Sequence, residues 1–219
     1  MDDKMTNENA QAIREENTKK TNWWKEIRDW VVAIAIAIIV ALLVRNFVFV
    51  FVKVQGSSME PTLQDGDRLY VNKFFYTPKK GDIVIFEPES DPDRPYIKRV
   101  IATEGDTVFI DYDTGDIYVN DEKIDEPYIK DVTARTGNYI MNLVAAGKYS
   151  RETPIVIEKN KIFVMGDNRN NSKDSREIGQ VPIDEVMGGA AFRFWPMDSF
   201  GTIDAQENAT EETKLALAE

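Results

Sequence analysis

Val54-Gln55-Gly56-Ser57-Ser58-Met59-Glu60-Pro61-Thr62-Leu63 is the stretch around which this chain is organised. An apolar, aromatic run from Phe47 to Val54 leads into it, and the turn-rich Gln64-Asp65-Gly66-Asp67 leaves it. Gly56 accepts backbone angles closed to other residues, so the chain can bend sharply before the serines. Pro61 lacks an N–H and restricts Glu60, which argues against a helix through this point. The stretch reads as extended chain running into a turn, with two hydroxyls at the bend. Taken alone, Ser57 and Ser58 fit equally well as ordinary turn residues bonding nearby backbone.

Composition narrows the chemistry open to those hydroxyls. The 219 residues suffice for one medium domain or a core with a smaller insertion. A formal net charge of −11 argues against a nucleic-acid binder that depends on phosphate contacts. The chain has no Cys, which removes disulfides, thiolate nucleophiles and Cys-based metal sites. It also has no His, which removes a Ser-His-Asp triad and any histidine-ligated zinc. No metal and no cofactor are expected. A nucleophilic serine here needs another base, and lysine is the usual substitute.

Residues 1–22 are polar and charged and read as a disordered tail. After Trp23, Trp24 and Trp30 comes an uninterrupted apolar run of 14 residues, Val31 to Val44. As a helix it covers only about 21 Å, short of the ~30 Å hydrocarbon core. Trp30 on one side and the segment from Arg45 to Phe49 on the other can extend it, with Arg45 snorkelling to the interface. A cleavable signal peptide and a buried core helix are the rivals. The run begins too late and ends in the wrong residues for the first, and shows no polar face for the second. Residues 23–46 are therefore expected to be an uncleaved transmembrane anchor. Lys19, Lys20, Lys25 and Arg28 precede it and only Arg45 and Lys53 follow closely. That bias places the N-terminus in the cytoplasm and the domain beyond residue 50 outside the cell membrane.

The remainder is dominated by short β-branched and aromatic runs. Asp67–Lys73, Asp82–Phe86, Ile97–Ile101, Thr107–Ile110, Ile117–Val119, Ile155–Ile157 and Lys161–Met165 are separated by Gly, Asp, Asn and Pro turn signals. Many short strands without alternating helices predict a mainly β, antiparallel, barrel-like fold. Residues 47–105 and 159–200 form its core. Residues 106–158 read as an insertion or small second domain, with a helix around Asn138 to Ala146. Residues 201–219 read as a disordered acidic tail.

Two further segments bear chemistry. Tyr96-Ile97-Lys98-Arg99-Val100-Ile101 puts a lysine in an apolar strand, where alternation sends Lys98 and Arg99 to opposite faces. One can point into the core while the other meets solvent or an acidic partner. Desolvation lowers a lysine's pKa and leaves a neutral amine able to take a proton; snorkelling from an edge strand is the bland alternative. Gly166 to Arg176 is a loop dense in hydrogen-bonding groups. Within it Asp174 can pair with Arg176, and Asp167 with Arg99.

Together these segments resemble the type I signal peptidases, membrane-anchored serine proteases with a Ser–Lys dyad. Ser58 to Leu63 looks like the serine box, Gly81 to Val84 like the next, Tyr96 to Arg99 like the lysine box, and Gly166 to Arg176 like the last. Gly179 to Pro182 and Gly188 to Ala190 resemble the family's segment beyond that last box. The resemblance implies Ser58 as nucleophile, Lys98 as general base, Ser172 as the hydroxyl orienting the lysine, and the Ser58 N–H as an oxyanion donor. Many relatives from double-membraned bacteria add a serine hydroxyl where this chain has Gly56, which leaves the oxyanion support at that position open and suits the Gram-positive type. Asn170 stands where some relatives have Asp. Arg99, Asp167, Asp174 and Arg176 are implied as structural ion pairs. Val54, Met59, Leu63, Tyr96 and Ile97 are implied to line one substrate pocket, and Val52, Val54 and Ile97 a second. The implied partners are preprotein signal peptides with Ala-X-Ala-like sites, the lipid bilayer and the neighbouring secretion translocon. Two other readings stay open: a self-cleaving Ser–Lys hydrolase of the repressor type, and an anchored β-domain without enzymatic activity.

Overall fold

The computed structural model describes residues 23–42, 49–134 and 136–203. Two units are distinguished, one before and one after the junction at Phe47 and Val48. The expected tail at 1–22, residues 204–219 of the tail expected at 201–219, and the end of the expected anchor at 43–46 lie outside the described residues, whereas Gly201–Thr202 of that expected tail form a strand.

In the first unit, residues 23–42 form a helix, α1, with its apolar side chains exposed. Lys25, Glu26, Arg28 and Asp29 occupy its first turns, so the charge-free part is residues 30–42. That part is only about 20 Å long. Among the described residues no helix is long and apolar enough to cross a membrane.

The second unit is built on antiparallel strands. In chain order they are β1 Phe49–Lys53, β2 Arg68–Asn72, β3 Ile83–Phe86, β4 Tyr96–Thr103, β5 Thr107–Ile110, β6 Ile117–Val119, β7 Glu122–Lys123, β8 Ile155–Val156, β9 Lys161–Met165, β10 Val181–Pro182, β11 Val186–Trp195 and β12 Gly201–Thr202. The main sheet has the order β1-β2-β11-β3-β4-β9-β10, with β12 added on β11. The second sheet has the order β7-β6-β5-β8 and comes entirely from chain between β4 and β9. Helix α2, Asn138–Ala145, belongs to the same inserted stretch.

Burial accounts for this arrangement. β3 and most of β4 are buried on both faces, which suits the continuous apolar character of β3, while β4 buries Lys98 and Arg99 among its apolar residues. One cluster joins Ile101, Ala102, Phe163 and Met165 of the main sheet to Val108, Ile110, Ile117, Ile155 and Ile140 of the insertion. Each such side chain contributes about 1.5–3 kcal/mol when fully buried, so the insertion is packed onto β4 and β9 by the hydrophobic effect. A second cluster gathers Val54, Met59, Leu63, Leu69, Val71, Ile83, Ile85 and Ile97. It anchors the serine turn to β2, β3 and β4. The long strand β11 was not expected from the sequence, nor were the short β7, β10 and β12.

Candidate active site

The serine turn is closed at its base. Val54 N donates to Asp67 O at 2.8 Å and Gly66 N to Val54 O at 3.0 Å, so the chain departs and returns as a pinned pair. Gly56 takes φ +83°, a value L side chains rarely adopt, and its N–H donates to Asp65 Oδ1 at 2.8 Å. Met59 and Leu63 are sunk in the core beyond the bend, and Leu63 N donates to Met59 O at 2.9 Å. Two apolar anchors and a glycine bend thus leave Ser58 half-buried with its hydroxyl facing β4.

Lys98 comes from the middle of the main sheet and is 4% exposed. Its Nζ lies 2.7 Å from Ser58 Oγ and 2.7 Å from Ile97 O. Burial lowers its pKa from 10.5 to about 8; Asp174 and Asp167 pull it upward and Arg176 downward. Roughly one lysine in eleven is then neutral at pH 7, against ~1 in 3000 for an ordinary lysine. The Tyr96 ring, on the same face, lies 5.5 Å from Nζ.

Arg99, on the opposite face, is 0% exposed and meets an acidic partner, the second of the two environments expected for it. Its Nε and Nη2 donate to the two oxygens of Asp167 at 2.9 and 2.7 Å, and its Nη1 donates to Gly81 O at 2.9 Å. Thr62 Oγ1 donates to Asp167 Oδ2 at 2.6 Å. Asp167 therefore joins the serine turn, the lysine strand and the loop that follows β9. Removing one partner of such a pair leaves an uncompensated buried charge, at a cost of about 3–5 kcal/mol.

That loop is fixed at both ends. Asp174 caps helix α3, Ser175–Ile178, by accepting from Arg176 N. Its carboxylate also accepts from Arg176 Nε and Nη2 at 2.8 and 2.7 Å and from Gly166 N at 3.0 Å. Burial raises the Asp174 pKa, but Arg176, Gly166 N–H and the Ser172 hydroxyl together hold it below the usual carboxylate range. Ser172 is therefore bonded to Asp174, beside the dyad. Gly166 admits no side chain: a Cβ there would strike the Ser58 carbonyl oxygen and Ser172 Oγ. Asn168 N donates to Ser58 O at 3.1 Å, and Asn168 Nδ2 to Ser57 O at 3.1 Å.

The six residues expected to line substrate pockets divide between faces. Val54, Met59, Leu63 and Ile97 belong to one apolar cluster, with Val52 packed against it. Tyr96 packs instead against the cluster of Val84, Phe86 and Val100, as strand alternation requires. β9 pairs with β4 only from Met165, opposite Arg99, onward, so Tyr96–Lys98 run on beyond it. Sequence reasoning missed Thr62, Glu126, Tyr128 and the Arg193–Asp67 pair at 2.9 Å. Only Asp67, in a Gly-Asp turn before a strand, carried a local signal.

A family model described as signal peptidase, peptidase S26, matches residues 27–195. Signal peptidase IB of Staphylococcus aureus (strain COL) is 38% identical over 182 residues, covering 80% of this chain and 93% of that protein. Signal peptidase I T of Bacillus subtilis (strain 168) is 40% identical over 198 residues, covering 89% and 97%. A crystal structure of a signal peptidase I from Enterococcus faecalis V583 aligns with a TM-score of 0.37 at 24% identity, over 52% of this chain and 97% of that one.

Proposed function

We propose, from the premise that this chain belongs to the signal peptidase family, peptidase S26, that it removes signal peptides from exported preproteins with Ser58 and Lys98 as its catalytic pair. The chain is a hydrolase of the signal peptidase I type. The observation carrying the dyad is the 2.7 Å contact between Ser58 Oγ and a buried Lys98 Nζ, in a chain with no histidine to serve instead.

In the proposed reaction the neutral Nζ takes the Ser58 proton as Oγ attacks the carbonyl carbon of the scissile bond. The charge that develops on the carbonyl oxygen meets the Ser58 backbone N–H. The lysine, now protonated, gives its proton to the leaving amine as the C–N bond breaks, leaving an acyl ester on Ser58. It then takes a proton from water, which attacks the ester, and returns that proton to Oγ. Ser172 and Asp174 keep the region beside Nζ polar, while Arg99–Asp167 and Asp174–Arg176 hold it together.

The substrate is read as an extended strand between Val52–Gly56 and Asp93–Lys98, held by backbone bonds. Two features support this: β1 is the terminal strand of the main sheet, and Tyr96–Lys98 extend past β9. Val52, Val54, Met59, Leu63 and Ile97 would floor shallow apolar pockets that accept Ala or Gly before the cut. Anchoring is likewise part of the proposal. α1 presents an apolar surface, and the reading requires Trp30 and the segment from Arg45 to Phe49 to lengthen the apolar run through Val44 into a short span, with the N-terminus cytoplasmic and the catalytic unit extracellular, near the translocon. Phe51, Trp195, Met197 and Phe200 are exposed on or beside the β1–β2–β11–β12 end of the main sheet and suit contact with the lipid surface.

The test is cleavage of a preprotein bearing an Ala-X-Ala site by the full chain in detergent. Ser58→Ala and Lys98→Ala should each lose at least about a thousandfold in kcat while remaining folded. Near-normal turnover by either variant would end the dyad reading.

A further inference from the structure

Arg169 holds a positive charge out of water, its side chain being 0% exposed. Its Nε donates to Gly166 O at 3.0 Å, within its own loop. Its other bonds go elsewhere: Nη1 donates to Glu126 Oε2 at 2.8 Å and to Thr133 Oγ1 at 3.1 Å, and Nη2 donates to Glu126 Oε1. Glu126 is itself 7% exposed and accepts from the Tyr128 hydroxyl at 3.0 Å. Glu126, Tyr128 and Thr133 lie on the irregular strap between β7 and α2, in the inserted unit.

The strap grips the same loop again. Ala134 N donates to Asn170 Oδ1 at 3.1 Å, and Asn170 Nδ2 donates to Val132 O at 3.2 Å. The Tyr128 ring lies 3.9 Å from the Arg99 guanidinium. On its other side the loop touches the nucleophile's own backbone, through Asn168 N and the side-chain-free Gly166. One layer of chain therefore separates the strap from Ser58.

We propose that this strap positions the active site, and that Glu126 is its positioning residue, setting through Arg169 how closely the loop Gly166–Asp174 seats beneath Ser58 and Lys98. Glu126 touches neither substrate nor reacting atoms. Without its carboxylate the Arg169 cation has to reach water, and the loop lifts to let it. Lifting withdraws the Asn168 N–H from the Ser58 carbonyl and admits water beside Lys98. A misplacement of about 1 Å can cost a hundredfold in rate without changing substrate affinity. The inference rests on the Ser58–Lys98 reading above.

The experiment compares wild type, Glu126→Asp, Glu126→Gln and Ser58→Ala as full chains in detergent, on one preprotein, with active sites titrated. Expected for Glu126→Gln is a kcat about 10- to 100-fold lower with KM within about twofold. The acid limb of its kcat/KM profile should also move upward, because Lys98 is better hydrated while still facing Asp167, Asp174 and Arg176. Glu126→Asp should fall between the two. A folded Glu126→Gln with unchanged kcat and limb overturns the proposal, as does a fall in kcat matched by loss of titratable sites. Should Glu126→Gln fail to fold, Glu126→Asp decides: wild-type kcat and limb refute the idea, and an intermediate kcat with a raised limb supports it. Activity retained by Ser58→Ala would sink the dyad reading instead, whereas an inactive Ser58→Ala beside a normal Glu126→Gln sinks only the strap.

Discussion

The reactivity of Lys98 should be visible as a bend in the pH profile near 8. Its amine is 4% exposed, and burial lowers its pKa to about 8. The neutral, proton-accepting fraction is then roughly 1% at pH 6, roughly 9% at pH 7, half at pH 8 and roughly 90% at pH 9. With substrate well below KM, kcat/KM for an Ala-X-Ala preprotein should climb about tenfold per unit from pH 6 and level off above 8. The whole rise from pH 6 to 9 is about ninetyfold. A lysine left at 10.5 would show no bend below pH 10, and its rate at pH 7 would be about 300-fold lower. The chain contains no histidine, so no imidazole can produce a limb in this window. Lys98→Arg should be inactive at every pH, since a guanidinium does not shed its proton. A flat profile from pH 6 to 9, or one still climbing in proportion at pH 9.5, would refute the claim that burial activates this lysine.

The same burial bears on stability. Because the folded pKa lies below the unfolded one, the unfolded chain binds more protons between pH 8 and 10.5, and stability rises with pH across that window. The shift from 10.5 to about 8 corresponds to about 3 kcal/mol. Denaturant titrations should therefore show the advantage of Lys98→Met over wild type shrinking by about that amount from pH 8 to 10.5; a constant difference would contradict the burial argument. Gly166→Ala forces a methyl against the Ser58 carbonyl, so it should lower stability by about 1–3 kcal/mol and reduce kcat; a variant with wild-type midpoint and turnover would show the contact is slack. A preprotein with Phe in place of Ala immediately before the cut should be cleaved far more slowly, and equal cleavage would mean that the proposed pockets are absent.

Much of both sheets was legible because their strands are short apolar runs bounded by turn residues. Ile83–Phe86, Thr107–Ile110 and Lys161–Met165 each lie within the segments read from the sequence. Strand β11 was not legible, because Gly188 and Gly189 are poor strand residues in isolation. Their reason lies across the sheet: a Cβ on Gly188 would strike Asn72 O, and one on Gly189 would meet the Tyr76 ring. The pairing of Ser58 with Lys98 was implied by the resemblance to the type I signal peptidases, while the lysine placed among apolar residues was a local anomaly that left snorkelling open. Glu126 left no such trace. An acidic residue in a polar stretch looks like solvent-facing chain, and its role emerges only from where Arg169 ends up. Thr62 was hidden for the same reason, 105 residues from the Asp167 it bonds.

Thr103 of β4 lies directly opposite Ile162 of β9, so the inserted unit leaves the main sheet and rejoins it on neighbouring strands. An excursion that begins and ends at one place can grow or shrink cheaply, about 0.6 kcal/mol for each doubling of its length. On that ground the insertion is the stretch of the chain most tolerant of being lengthened, swapped or pruned. The strap sets the limit. A miniature enzyme in which a tight turn bridged residues 103 and 162 would delete Glu126 and Tyr128, depriving the Arg169 cation of the carboxylate that accepts from both of its terminal nitrogens. A minimal design must therefore either graft residues 126–134 back onto the shortened chain or replace Arg169 with a neutral side chain.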